Sequence, residues 1–127
     1  DVDDIADVVT KVLVDDQYNG QTITVTGPQK HTFKEAVAIM AEAVDRPLQY
    51  IPITIEEFKA GMRQAGLTDD YVWLFGYLFQ EVLGNPDNQA ISKDILEILG
   101  RPAIDFETYA KGVAANGVWD TNMVAHA

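Results

Sequence analysis

The nine residues 71–79, which read Tyr-Val-Trp-Leu-Phe-Gly-Tyr-Leu-Phe, constrain the fold of this chain more than any other segment. Five aromatic residues occupy every second position, so on an α-helix successive rings lie about 200° apart and point all round the axis. The flanks favour a helix, because Thr68 is a suitable N-cap and Gly84 a possible stop. A helix that is apolar on every side must be buried, line a pocket or meet a partner.

Composition limits the class of protein. A chain of 127 residues forms one domain at most, and the absence of cysteine predicts a cytoplasmic protein without disulfides. No run approaches the roughly 20 apolar residues of a membrane span, and no signal peptide is visible. The net charge of −11 is spread along the chain, which argues against binding to nucleic acid or anionic membranes. The start at Asp1, without methionine and almost directly in a helical pattern, is typical of a piece of a longer protein.

Periodicity predicts an α/β fold that is mostly helical, with about six helices and two short strands. Residues 21–26 alternate apolar and hydroxyl side chains and predict a strand, and residues 48–53 predict a second. Capping boxes at residues 32–35 and 54–57 predict the starts of two helices. The predicted domain is 1–116, and residues 117–127 lack a clear period and form the predicted flexible tail.

Few residues offer chemistry. The histidines are His31, before a helix cap, and His126, in the predicted tail, and both are interpreted as solvated or loose side chains. Asp3, Asp4 and Asp7 suit either a divalent ion or, more simply, the dipole of the first helix. Asp69 and Asp70 suit either a general acid beside the aromatic cluster or, more simply, the first turn of their helix. The sequence contains neither a glycine-rich phosphate loop nor a Tyr-x-x-x-Lys pair, so we predict no catalytic, cofactor-binding or metal-binding residue.

Three stretches in the same order and spacing carry a family resemblance. They are Asp-Val-Asp-Asp-Ile-Ala-Asp-Val at 1–8, Gly-Gln-Thr-Ile-Thr-Val-Thr-Gly-Pro at 20–28, and Leu-Gly-Arg-Pro at 99–102 followed by Phe-Glu-Thr-Tyr at 106–109. Together they resemble the C-terminal part of NmrA-like proteins, which are atypical short-chain dehydrogenase relatives with an NAD(P)-binding Rossmann fold. The family often has glycine before its first Arg-Pro, where this chain has Asp45.

The resemblance implies the substrate-side segment of an NAD(P)-dependent oxidoreductase or of a redox-sensing regulator. The Rossmann half that carries the cofactor in the family is missing, so NAD(P) is implied only for an intact parent protein. The aromatic helix around Trp73 and Tyr77 would then face the substrate cleft. With Phe58 these residues form the predicted pocket for a small, flat, apolar ligand.

An alternative interpretation is a free-standing binding or assembly module that forms a homodimer. Loss of the Rossmann half would expose apolar faces, which a second copy of the chain could cover. The expected partner is therefore either a second copy or the missing Rossmann half. An enzyme acting alone is the least favoured interpretation, since it would depend on Asp69, Asp70 and Tyr71.

Overall fold

The computed structural model describes residues 1–120, and these residues form helices and loops with no β-strand among them. Six α-helices follow one another along the chain: α1 (Val2–Leu13), α2 (Phe33–Ala43), α3 (Ile55–Gln64), α4 (Asp69–Tyr77), α5 (Asp94–Leu99) and α6 (Phe106–Ala115). A π-helical turn (Leu78–Val82) extends α4, and short 3₁₀ turns span Asp16–Tyr18 and Pro86–Gln89.

The predicted α/β fold with two short strands is wrong, because neither 21–26 nor 48–53 lies in a strand. An alternating pattern becomes a strand only where a neighbouring strand accepts its backbone hydrogen bonds. In residues 21–26 the backbone Thr24 N donates instead to the side chain of Asp94, at 2.7 Å from Oδ2. The side-chain Thr26 Oγ1 accepts from Ser92 N at 3.0 Å.

The chain forms two compact units, and the single domain over 1–116 stays a prediction. The first unit comprises residues 1–50 and 91–120, and the second comprises residues 51–90. Of the predicted tail, residues 117–120 are described, and Trp119 O accepts a hydrogen bond of 2.8 Å from Arg46 Nη2. Residues 121–127, and His126 with them, lie outside the described residues.

In the first unit α1 packs against α5, and α2 packs against α6. Val8, Ile95 and Ile98 are buried together at the centre, with the half-buried Ile23 packed against them. Ala110 of α6 is fully buried. Several apolar side chains of α1 remain exposed, namely Ile5, Val9 and Leu13. The core of this unit is therefore small.

In the second unit α3 packs against α4, which buries Met62, Val72 and Gly76. Both predicted capping boxes are confirmed, at the starts of α2 and α3. In the second box Thr54 N donates to Glu57 Oε2 at 2.7 Å, and Glu57 N donates to Thr54 Oγ1 at 3.2 Å. Thr68 is the N-cap residue of α4, as predicted, but its side chain makes no capping hydrogen bond.

Candidate functional site

The three predicted pocket residues all belong to the second unit, and the structure brings two of them together. Trp73 and Tyr77 lie one helical turn apart on α4, and their rings stack at 5.6 Å between centroids and 14° between planes. Phe58 of α3 instead contacts Phe79, with ring centroids 4.9 Å apart at 63°. Trp73 and Tyr77 therefore form one aromatic surface, and Phe58 belongs to a separate ring pair.

The aromatic surface is open to solvent because two other residues hold α4 on α3. Val72 and Gly76, four positions apart, form the buried stripe of α4. Trp73 is 66% exposed and Tyr77 is 47% exposed. On the other side of the stripe Tyr71 stacks on Phe75 at 6.5 Å, and both rings are also exposed. These four rings of α4 are therefore not buried. A pocket or a partner remains as the explanation for the apolar surface of this helix.

Phe58 lines an apolar cavity of about 280 Å³ together with Met62, Ala65 and Leu67. Trp73 and Tyr77 do not line it. The carboxylate at its edge is Glu57, which accepts hydrogen bonds from Thr54 and thereby closes the helix cap. This cavity offers apolar contact and no free acid or base.

Asp69, Ser92 and Glu35 carry acidic or hydroxyl side chains, and each has a structural role. Asp69 Oδ1 lies 3.4 Å from Arg63 Nε on the exposed surface. Ser92 Oγ accepts from Asp94 N at 3.0 Å, so its hydroxyl supports the turn before α5. Glu35 lies in a capping box, where hydrogen bonds from Thr32 lower its pKa.

Sequence reasoning missed the buried ion pair of Asp4. The Asp4 side chain is fully buried, Oδ1 accepts from Arg101 Nη1 at 2.6 Å, and Oδ2 accepts from Ile104 N at 2.8 Å. Arg101 Nη2 also donates to Asp7 Oδ2 at 2.6 Å. The available signal was the spacing of Asp4 and Val8, which places the acid on the buried face of α1. A buried carboxylate requires a partner.

These contacts explain the lowered pKa of Asp4, one of the acidic residues on α1. Burial alone would raise the pKa of Asp4, but hydrogen bonds from Arg101 and Ile104, with the charge of Arg101, outweigh it and lower that pKa. Asp4 and Asp7 thus hold a guanidinium. Within residues 1–120 no group of three or more His, Cys, Asp or Glu is placed to hold a metal ion.

A cavity in the first unit lies between the loop after residue 26 and α6. Its volume is about 540 Å³, and its walls include Gly27, Pro28, His31, Phe106 and Tyr109. Within the wall the rings of His31 and Phe106 lie 6.0 Å apart, and those of Phe106 and Tyr109 lie 5.9 Å apart. Periodicity does not predict this cavity, because its walls come from distant parts of the chain.

The 540 Å³ cavity does not fit the diphosphate of NAD(P). Its wall includes the acidic residues Asp1 and Asp105 and no lysine or arginine. A nucleotide diphosphate needs helix N-termini with open amides or cationic side chains, and two carboxylates repel it. That this chain binds no cofactor by itself stays a prediction.

Comparison with known proteins gives relatives for most of the chain. No protein-family model and no solved structure matches it. A NAD(P)H azoreductase of Xenophilus azovorans is 33% identical over 116 residues, 91% of this chain and 40% of that protein. Prestalk A differentiation protein A of Dictyostelium discoideum is 26% identical over 113 residues, 89% and 37% of the two chains. The uncharacterized oxidoreductase YesF of Bacillus subtilis (strain 168) is 25% identical over 115 residues, 91% and 40%.

The chain is similar to part of an oxidoreductase. It spans about two fifths of the length of the curated relatives it matches. The predicted kinship with oxidoreductases is therefore confirmed at this coarse level, while membership of the NmrA-like group stays a prediction. Within residues 1–120 no helix combines the length and apolarity needed to cross a membrane.

Proposed function

We propose that this chain is the substrate-side segment of an NmrA-like, NAD(P)-dependent oxidoreductase or redox-sensing regulator, and that it is not catalytic alone. The observation that carries the proposal is the similarity of 91% of the chain to 40% of a NAD(P)H azoreductase. The sequence carries no glycine-rich phosphate loop, so we assign cofactor binding to a different part of the intact protein. The lack of cysteine fits a cytoplasmic location.

We assign ligand binding to the stacked pair Trp73 and Tyr77. Two nearly parallel exposed rings offer a flat face on which another planar aromatic molecule stacks favourably. The azoreductase is named for azo compounds, and aromatic azo compounds are planar. We therefore propose an uncharged planar aromatic ligand of azo or quinone type. Phe58 and its cavity of about 280 Å³ form a second apolar candidate site on the same unit.

Tryptophan fluorescence tests this assignment directly. In a Trp119→Phe background Trp73 is the one remaining tryptophan of the sequence. Azobenzene should quench it saturably, and Tyr77→Leu should weaken binding about 2- to 10-fold, the equivalent of one aromatic contact. The control is Tyr50→Leu, which removes a partly exposed ring from the first unit and should leave binding unchanged.

The variant Phe58→Leu distinguishes between the two candidate sites of the second unit. If the ligand stacks on Trp73, this change leaves the azobenzene affinity unaltered. If the affinity falls with Phe58→Leu and not with Tyr77→Leu, the cavity and not the stacked pair is the site. Oxidation of NADPH by the purified chain in the presence of azobenzene would contradict the absence of independent catalysis.

A second candidate function is self-assembly through α4. The observation that favours it is the presence of two exposed ring stacks, Tyr71 with Phe75 and Trp73 with Tyr77, on either side of the buried stripe. Each exposed stack is an apolar face that a second copy of the chain covers by packing against it. Sedimentation velocity should then show a dimer, and Trp73→Ala should shift it to monomer. A chain that stays monomeric at high concentration removes this candidate.

A further inference from the structure

The 540 Å³ cavity of the first unit has a second property besides its aromatic wall. The rings of His31, Phe106 and Tyr109 follow one another at about 6 Å, and Tyr109 lies 6.5 Å from Trp119 in an edge-on contact. These residues come from the loop before α2, from α6 and from the turn after it. The volume is that of a site for a small molecule.

The charge around this wall is negative. Asp1 and Asp105 line the cavity, and an adjoining cavity of about 330 Å³ shares Tyr109 and adds Asp3. Hydrogen bonds from Thr108 lower the pKa of Asp105, so its carboxylate is charged at neutral pH. An aromatic wall bordered by carboxylates therefore faces the ligand with negative charge.

Two positive groups near the cavity have acidic partners, and Lys30, between the wall residues Gln29 and His31, is not part of the wall. Lys111 Nζ lies 2.5 Å from Glu107 Oε1. The amino group of Asp1 lies 4.0 Å from Asp4 Oδ2. No lysine or arginine belongs to the cavity wall, which combines the rings of Phe106 and Tyr109 with the acidic residues Asp1 and Asp105.

We propose that this cavity binds a small organic cation, in which a quaternary or aromatic ammonium group sits on the Tyr109 and Phe106 rings near Asp105. Ring faces attract cations through their quadrupole, and a nearby carboxylate adds attraction that a neutral ligand of the same shape does not receive. The net charge of −11 also favours cations over anions. The site lies in the first unit and is independent of the aromatic surface on α4.

The test uses Trp119 as the reporter in a Trp73→Phe chain. The probe is benzyltrimethylammonium, compared with its neutral isostere neopentylbenzene and with phenylacetate. We expect a saturable fluorescence change with the cation, about 3- to 30-fold weaker binding of the isostere, and no binding of phenylacetate. Potassium chloride at the same concentration corrects for ionic strength.

Matched variants locate the site. Asp105→Asn removes the charge while asparagine still caps α6, and it should weaken the cation several-fold. Tyr109→Leu should weaken it about 3- to 30-fold, whereas Tyr109→Phe keeps the ring and should bind as the parent does. Asp87→Asn in the second unit is the charge control. Circular dichroism verifies that each variant is folded.

The proposal is overturned by any of three results. The first is the absence of a saturable change with benzyltrimethylammonium. The second is equal affinity for neopentylbenzene, which would make the cavity merely apolar. The third is unchanged cation affinity in both Asp105→Asn and Tyr109→Leu, which would place the bound cation elsewhere on this acidic chain.

Discussion

Arg101 Nη1 lies 2.6 Å from Asp4 Oδ1, and this pair joins the first turn of α1 to the loop after α5. The two side chains differ in environment, because Asp4 is fully buried and Arg101 is partly exposed. A buried carboxylate that loses its partner keeps the whole cost of its desolvation, whereas an exposed guanidinium regains water. The two halves of the pair should therefore respond differently to substitution.

We expect Asp4→Asn to lower the free energy of unfolding by about 1–3 kcal/mol, the range for a buried hydrogen-bonded group that loses its charge-assisted partner. Arg101→Ala should cost more, because it leaves Asp4 charged and buried. Urea unfolding followed by circular dichroism measures both. The double variant should cost less than the sum of the single ones, since the two residues share one interaction. Strict additivity would show that they do not interact.

The same carboxylate makes the first unit sensitive to acid. The pKa of Asp4 is lower in the folded than in the unfolded chain, so its stabilisation is complete above about pH 4 and is lost as pH falls through the folded pKa. Urea midpoints measured from neutral pH down to about pH 3 should therefore fall less steeply in Asp4→Asn than in the parent. Asp69→Asn, which alters an exposed ion pair, serves as the control. Equal slopes for Asp4→Asn and the parent would contradict the role of Asp4.

Helix caps with and without a hydrogen bond allow a matched comparison within the second unit. Thr54→Ala removes the hydroxyl that accepts from Glu57 N and should lower the free energy of unfolding by about 1 kcal/mol. Thr68→Ala changes the same residue type at an N-cap without a side-chain capping bond, so it should cost clearly less. Thermal melts of both variants measure the difference. A larger loss for Thr68→Ala would refute this assignment.

Alanine substitutions at two glycines should change the free energy of unfolding in opposite directions. Gly100 ends α5 with a φ of 67°, a conformation that alanine adopts reluctantly, so Gly100→Ala should destabilise by about 1 kcal/mol. Gly61 lies inside α3, and a methyl group there meets no atom within 4 Å. Gly61→Ala should therefore stabilise by about 0.4–1 kcal/mol. Chemical denaturation separates the two outcomes. A loss of stability in Gly61→Ala would reveal a role of Gly61 in the cavity of about 280 Å³ that it lines.

Local signals in the sequence determined the helices. The capping boxes at Thr32 and Thr54 each involve residues three positions apart, and the structure has a helix at both places. The aromatic helix at α4 followed from its flanking acids and threonine in the same way. Such signals are readable because cap, first turn and apolar stripe lie within a few residues of one another.

The tertiary structure decided everything that depends on residues far apart in the chain. Residues 21–26 carry a strand pattern, yet Asp94 and Ser92 bind their polar groups, so no strand forms. The pairing of Asp4 with Arg101 spans 97 positions. The cavity of about 540 Å³ likewise joins His31 with Phe106. Periodicity predicts which side chains face the protein interior. Only the folded chain determines which residues those side chains contact.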